Sequence, residues 1–374
     1  MSGGKVLAIY LEPTPYLLAL LERLEQRWPA GIDVEFAGMN LSQRWELTLA
    51  KASMQQLPAA RWSLLKHLHQ RMGSGQYALV HLAGWAGHPA LPMALLLARL
   101  HHIAVSIESD TPLPPFSPWW KRILKQLWYP LMFRLPALFL AGGRRQAQML
   151  AHYGVKPERI RIAGMTVDVA AIAGHRNAIS AEQRKAIRLS LGIAGNDCVF
   201  LYVGRLEPHK GLQELMDAFS LLKHANREAS LLLVGGGSMY DSLQRHSSEG
   251  SRIRCTGRLS GSSLLDAYAA ADVFVLPSRF EPWGLVVNEA MAAGLPVIAS
   301  ERVGCVDDLV SNGENGLVVP AENVQRLAAA MQLLLDDEAL CRRMSEKAAL
   351  LISGWTLEHE ADNMVAGWKH LVDN

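Results

Sequence analysis

The sequence predicts an α/β protein of two doubly wound, Rossmann-like parallel-sheet domains, and three observations carry that prediction. Short apolar runs bounded by Gly, Pro or Asp alternate with helical-period segments along most of the chain, the pattern of βαβ units. The alternation halts at residues 174–180, which hold few apolar residues and no clear period, and then restarts; the linker is expected there. A chain of 374 residues, 50% hydrophobic and 19% charged, is long enough for two cores and too apolar for global disorder.

In the first half, residues 5–11 read as a buried strand, broken by Glu12-Pro13-Thr14-Pro15, and the leucine spacing of 16–27 is helical. Residues 32–37 are a second strand, 44–72 mixed helix, 77–83 a third strand ending at Gly84-Trp85, 89–100 an apolar helix and 103–107 a fourth strand. His101 and His102 close that helix, where positive charge is favourable, and have no spaced partners that would make them metal ligands. Ser109-Asp110-Thr111 follows at the carboxyl end of the fourth strand, where parallel sheets meet their ligands. The triplet equally suits a turn or a helix N-cap; Asp110 is the candidate catalytic residue of this half.

Residues 118–136 interleave Trp119, Trp120, Trp128, Tyr129 and Phe133 with Lys121, Arg122, Lys125 and Arg134. Two readings stand: an interfacial helix lying on anionic lipid, or a core helix with a solvated basic edge. A nucleic-acid partner is not expected, because no broader basic composition accompanies the segment. A strand at 137–141 and a helix at 144–153 follow, and Gly154, Pro157 and Gly164 break up the end of this half.

Charge divides unevenly. Residues 1–175 carry 18 Lys and Arg against 10 Asp and Glu, a balance of +8, and the remainder carries 19 against 25, a balance of −6. That asymmetry points the first half toward an anionic surface or partner. The four cysteines, Cys198, Cys255, Cys305 and Cys341, are far apart and suit free thiols in a reducing compartment. No N-terminal signal peptide is visible and no apolar run reaches the length of a spanning helix, so a cytoplasmic protein is expected.

The second half restarts with a strand at 198–203, the loop Gly204-Arg205-Leu206-Glu207-Pro208-His209-Lys210-Gly211 and a helix at 212–223. Two cations beside a helix N-terminus make a candidate diphosphate clamp, although many βα loops carry a surface Arg and Lys. A strand at 230–234 runs into Gly235-Gly236-Gly237 without completing G-x-G-x-x-G. A strand at 252–256, the turn Gly257-Arg258-Leu259 and a helix at 263–270 lead to the strand at 273–276. There Pro277 opens a loop holding Glu281 and Gly284, a helix from Leu285 holds Glu289, and a strand lies at 296–299. Carboxylates at such a mouth suit a vicinal diol, which a ribose presents; either one alone also suits an ordinary solvated βα unit. The stretch 313–320 and helices at 324–335, 338–352 and 357–372 complete the chain.

Residues 196–355 resemble the C-terminal domain of the retaining family-4 GT-B glycosyltransferases, the glycosyl transferases group 1. The resemblance rests on VGRLEPHKGL (203–212), LLLVGGG (231–237), CTGRLS (255–260), YAAADVFVLPS (268–278), FEPWGLVVNEAMAAGLPVIAS (280–300) and NGLVVPAEN (315–323) in order. GWTLEHEA (354–361) is similar to the start of a last helix that crosses back to the first domain; the first half matches only in its strand–helix pattern.

The resemblance implies a GT-B fold, with an N-terminal acceptor domain at 1–175, a nucleotide-sugar domain at 176–355 and the crossing helix at 356–374, the active site lying in the cleft between the domains. It also implies that Arg205 and Lys210 hold the donor diphosphate, that Glu281 contacts the transferred sugar and that Glu289 binds the ribose. Gly284, Leu285 and Val286 supply backbone amides, and Gly204, Gly236, Arg258 and Leu259 lie about the nucleotide. Three departures accompany it. Pro13-Thr14-Pro15-Tyr16 stands where the family often has Gly-Gly, Ser109-Asp110 where it often has His, and Gly304-Cys305 where a Gly-Gly pair is common.

The activity so implied is retaining transfer of a sugar from a nucleoside diphosphate sugar, UDP or GDP, to a lipid-linked or oligosaccharide acceptor in the assembly of lipopolysaccharide, O-antigen or another cell-surface glycan. No resident cofactor is expected. The sequence holds no Asp-x-Asp, so two side-chain cations rather than a metal are expected to neutralise the diphosphate. Peripheral contact with the inner face of the plasma membrane through 118–136 is expected with it. The alternatives are a GT-B epimerase or phosphorylase, a transferase with a small soluble acceptor, and a catalytically dead subunit that only binds nucleotide.

Overall fold

A computed structural model describes residues 3–39, 53–114, 118–223, 228–247 and 251–373. It divides into two units, Met1–Met165 with Leu357–Asn374, and Thr166–Thr356.

In the first unit the strands are β1 (Lys5–Tyr10), β2 (Ile32–Phe36), β3 (Met54–Gln56), β4 (Tyr77–Leu82), β5 (Ala104–Ser109), β6 (Leu138–Ala141) and β7 (Ile160–Ile162). Among the described residues they form a sheet in the order β3-β2-β1-β4-β5-β6-β7, every pairing parallel. The connecting helices are α1 (Pro15–Arg27), α2 (Arg61–Gly73), α3 (Ala90–Leu100), α4 (Trp119–Met132) and α5 (Arg144–His152). The order reverses direction at β1, the switch point of a doubly wound sheet. Thr14 caps α1, its hydroxyl accepting from Leu17 N at 3.3 Å, so the Pro13-Thr14-Pro15 sequence is a helix start.

The second unit begins with α6 (Val169–Ala178) and α7 (Ala181–Ser190). Its strands are β8 (Cys198–Val203), β9 (Ala229–Val234), β10 (Ile253–Gly257), β11 (Val273–Leu276), β12 (Val297–Ser300) and β13 (Gly316–Val319). Their order is β10-β9-β8-β11-β12-β13, again parallel. The helices α8 (Leu212–Ser220), α9 (Tyr240–Gln244), α10 (Gly261–Ala270), α11 (Leu285–Ala292), α12 (Val306–Leu309), α13 (Val324–Asp336) and α14 (Glu338–Ile352) flank it. The last helix, α15 (Leu357–Asp373), belongs to the first unit. It buries Leu357, Ala361, Met364, Val365 and Trp368 in one cluster with the leucines of α1, Trp368 meeting Trp28 edge-on at 6.1 Å. Arg23 and Arg27 pair with Glu358 and Asp362 on the outer side.

Four details stand out against the sequence expectation. The stretch read as mixed helix contains the edge strand β3, and its residues 44–52 lie outside the described residues. The other edge strand, β7, is equally short; three residues give no usable period. Residues 174–180, expected as linker, include the last turns of α6 and the cap of α7. Ser180 and Gln183 form a reciprocal capping box there, an S-x-x-Q signal, and His175 pairs with Asp266 at 2.8 Å. Finally, the aromatics of 118–136 split. Tyr129 and Phe133 pack with Trp85, Tyr153 and Phe139, whereas Trp119, Trp120 and Trp128 are exposed.

Candidate active site

The carboxyl ends of β8, β9 and β11 carry the conspicuous loops of the second unit. They are held backbone to backbone, which is why glycine recurs in them. A Cβ on Gly235 would lie 1.8 Å from the Gly204 carbonyl oxygen, so neither loop tolerates a side chain between them. Glu207 ties the first loop to the second, accepting from Ser238 N at 3.0 Å and Ser238 Oγ at 2.6 Å. Tyr202, fully buried, donates to the Arg205 carbonyl at 2.8 Å and props the loop from below. Burial, then the charge of Glu281, raises the pKa of Tyr202, which keeps it a donor.

On this frame Arg205 is exposed and Lys210 buried. The Lys210 ammonium pairs with the Glu281 carboxylate, so the residue of the β8 loop and that of the β11 loop converge. The field there is positive: desolvation, then Lys210 and Arg205, lower the pKa of His209. Gly284 has φ +100° and starts α11, leaving the amides of Leu285 and Val286 in its first turn free of intrahelical partners. Glu281 is strapped from behind, its N–H donating to Arg302 O at 3.2 Å and its carbonyl accepting from Gly304 N at 2.9 Å. The Gly304-Cys305 departure follows from that strap. A Cβ at 304 would strike the Pro282 carbonyl at 1.9 Å, whereas the Cys305 side chain is buried with its sulfur 3.9 Å from the Gly284 carbonyl.

Glu289 lies one to two turns into α11, partly exposed. Tyr268 of α10 donates to its Oε2 at 2.5 Å. Burial lifts the Glu289 pKa to about 6, and the Tyr268 hydrogen bond works against that rise. Behind the helix, Trp283 Nε1 donates to Asn288 Oδ1 at 3.0 Å, and Asn288 Nδ2 to Thr166 Oγ1 at 3.3 Å. Thr166 Oγ1 in turn donates to Trp355 O at 2.7 Å. Gly236 approaches Arg258, whose Nε would lie 2.9 Å from a Cβ there, so the β9 and β10 loops also meet, with Leu259 next in chain.

Asp110 belongs to the first unit, at the carboxyl end of β5. It is exposed, accepts from Thr111 Oγ1 at 2.9 Å, and its carbonyl accepts from Gln146 Nε2 at 3.2 Å. Glu12, Glu108 and Asp110 all act on Tyr16: desolvation chiefly, then these carboxylates, raise its pKa, and a hydrogen bond with Thr14 opposes them. Sequence reasoning gave no role to Tyr268, Tyr202, Glu207 or Asn288. Tyr268 stands inside the quoted YAAADVFVLPS run, and a Tyr amid the alanines that end a helix was the available signal.

The family model for glycosyl transferases group 1 matches residues 183–350. A D-inositol 3-phosphate glycosyltransferase of Rhodococcus jostii is 30% identical over 320 residues, 83% of this chain and 67% of that protein. Among solved structures, Anabaena HepE in complex with UDP-glucose superposes with a TM-score of 0.77 at 19% identity, over 97% of this chain and 99% of that one. A lipopolysaccharide outer core galactosyltransferase superposes at 0.72 and 16%, over 97% and 98%. The motif order, the two parallel sheets and these similarities agree: the chain belongs to the glycosyl transferases group 1, a glycosyltransferase of GT-B fold.

Proposed function

We propose that this glycosyltransferase moves a hexose from UDP, with retention of anomeric configuration, onto a saccharide acceptor carried by a lipid. One observation carries the donor half of the reading: Lys210 and Glu281, from different loops, meet beside Arg205 and the first turn of α11. A diphosphate outweighs one carboxylate in charge, so it draws Lys210 and Arg205, and the α11 amides add a helix-terminus anion site. Glu281 then takes hydroxyls of the sugar, and Glu289 the ribose diol. The structural neighbour bound to UDP-glucose supports uracil as the base.

Departure of the diphosphate leaves an oxocarbenium-like sugar. Arg205, Lys210 and the amides of Gly284, Leu285 and Val286 stabilise the charge that develops on the phosphate, the largest contribution a protein makes to such a step. A phosphate oxygen accepts the proton of the incoming hydroxyl, and the new C–O bond forms on the face the phosphate leaves. This chemistry needs no carboxylate pair of the glycosidase kind. Asp110, just past the end of β5 and near Glu108 and Glu12, accepts hydrogen bonds from hydroxyls of the acceptor. The structural neighbour named for the lipopolysaccharide outer core supports a lipid-borne acceptor. The relative named for D-inositol 3-phosphate favours a second reading, a small polyol acceptor.

A thermal-shift screen with UDP-, GDP-, ADP- and dTDP-sugars tests the donor, since a ligand of the folded state alone raises its melting temperature. UDP-sugars are expected to raise it most. Turnover of the stabilising sugar with and without a lipid-extracted acceptor tests the reaction. Conversion to an epimer, or phosphorolysis, without acceptor overturns transfer; transfer to inositol phosphate and not to the lipid fraction overturns the lipid acceptor.

A further inference from the structure

Helix α4 is amphipathic in the wrong direction for a soluble protein. A surface helix turns its apolar stripe to the core and its charges to water. Here no residue of α4 is buried. Trp119, Ile123, Leu127 and Leu131 form one i, i+4 row, and Trp120, Leu124 and Trp128 the adjacent row, all exposed, Trp119 by 73% and Leu127 by 67%. At about 100° per residue these two rows fill one continuous half of the helix. The body is met by the other half, where Tyr129 packs edge-on against Trp85 at 5.7 Å and Tyr153 at 4.8 Å, and by Phe133 just beyond the last turn. Lys121, Arg122 and Lys125 lie on that second half too, beside the apolar arc. Lys121 reaches over the Trp120 ring at 5.2 Å and Lys125 over Tyr129 at 5.7 Å.

An outward apolar face of this extent marks an interaction surface. We propose that it lies in the surface of an anionic membrane, the two apolar rows sunk among the acyl chains and the three cations at headgroup level. Charge selects this occupant. The helix has no Asp or Glu, the first 175 residues carry a balance of +8, and indoles beside snorkelling cations suit the lipid–water boundary. No helix among the described residues is long and apolar enough to cross a membrane, so α4 lies on the bilayer. The proposal stands on the geometry of α4 and is read without turnover, so it and the proposed reaction fail independently.

The test is sedimentation of the full chain with vesicles of phosphatidylcholine alone and of phosphatidylcholine with an equal part of phosphatidylglycerol, at low and high salt. The wild type is expected to pellet with the mixed vesicles at low salt, with a blue-shifted tryptophan emission. Lys121→Gln with Arg122→Gln and Lys125→Gln lowers the partition coefficient on the order of a hundredfold, each cation near such a surface contributing roughly fivefold. Trp119→Gln with Leu127→Gln and Trp128→Gln abolishes pelleting, with an unchanged melting temperature because these side chains are exposed. Wild type left in the supernatant with mixed vesicles, equal pelleting with neutral ones, or binding unaltered by either triple variant overturns the proposal. So does a dimer in velocity sedimentation that the apolar triple variant dissolves, since a second copy would then cover the face.

Discussion

The two sheets follow the same doubly wound plan and end in different kinds of loop. In the second unit, glycine backbones pack against one another and present Arg205, Lys210, Glu281 and Glu289 in a frame with little freedom. In the first, the β1 end is spent on capping α1 through Thr14, and carboxylates rather than cations cluster about Tyr16. On the proposed reading, the difference follows from the partners. A nucleoside diphosphate has one fixed pattern of charge and hydroxyls, so the loops that hold it are constrained residue by residue. An acceptor varies, and hydroxyl-rich acceptors ask only for well-placed acceptors of hydrogen bonds.

The comparison breaks first at the clamp. Lys210→Ala and Arg205→Ala are each expected to lower kcat/KM by roughly 30- to 1000-fold, about 2–4 kcal/mol for one strong electrostatic donor. Lys210→Ala costs more of the two, because it also leaves the half-buried Glu281 charge without its partner. Asp110→Ala, in the first unit, leaves UDP affinity unchanged by calorimetry. Near-wild-type kcat/KM in both clamp variants, or UDP affinity lost in Asp110→Ala, removes the division of labour.

The strands and loops of the second unit were readable in the sequence residue by residue, those of the first only as a strand–helix pattern. Lys210, Glu281 and Glu289 stood out because each lies in a βα loop or helix start at a fixed distance from a strand. Their mutual contacts did not, since Lys210 and Glu281 are 71 positions apart and meet only once β8 and β11 pair. Tyr268 was hidden for the same reason: its partner is chosen by how α10 lies beside α11. Strands β3 and β7 were too short for period, and the break at 174–180 was a capped helix junction. The Trp and Lys interleaving of 118–136 was legible; which aromatics turn inward was not, because Tyr129 and Phe133 are selected by Trp85 and Tyr153 from distant loops.

Glu289 gives a sharper test of the second unit's frame. Burial lifts its carboxyl pKa to about 6, and on the proposed reading ribose hydroxyls donate to the ionised form. A raised carboxyl is protonated as pH falls through that value, so UDP binding weakens below about pH 6, roughly tenfold between pH 7 and pH 5. The terminal phosphate of UDP titrates in the same range, so the wild-type curve is read against Glu289→Ala, which is expected to bind weakly and keep only the phosphate's own pH dependence. Tyr268→Phe removes the hydrogen bond that holds the pKa down, so its midpoint moves to higher pH. Superimposable calorimetric pH curves for wild type and Glu289→Ala would take Glu289 out of the nucleotide site.

The smallest expected change is none: activity survives chelation by EDTA. The expectation comes from the charges and from a missing motif. The sequence has no Asp-x-Asp, and two side-chain cations with the first-turn amides of α11 stand ready to neutralise a diphosphate, the task a divalent ion performs elsewhere. Chelation also separates two origins for a weak Arg205→Ala effect. If EDTA abolishes turnover and magnesium or manganese restores it, a metal carries the leaving-group charge, and both clamp variants should then lose little when that metal is saturating. If EDTA leaves turnover intact while Lys210→Ala and Arg205→Ala collapse it, the neutralisation belongs to the loops of β8 and β11, and the contrast between the two units holds at its chemical centre.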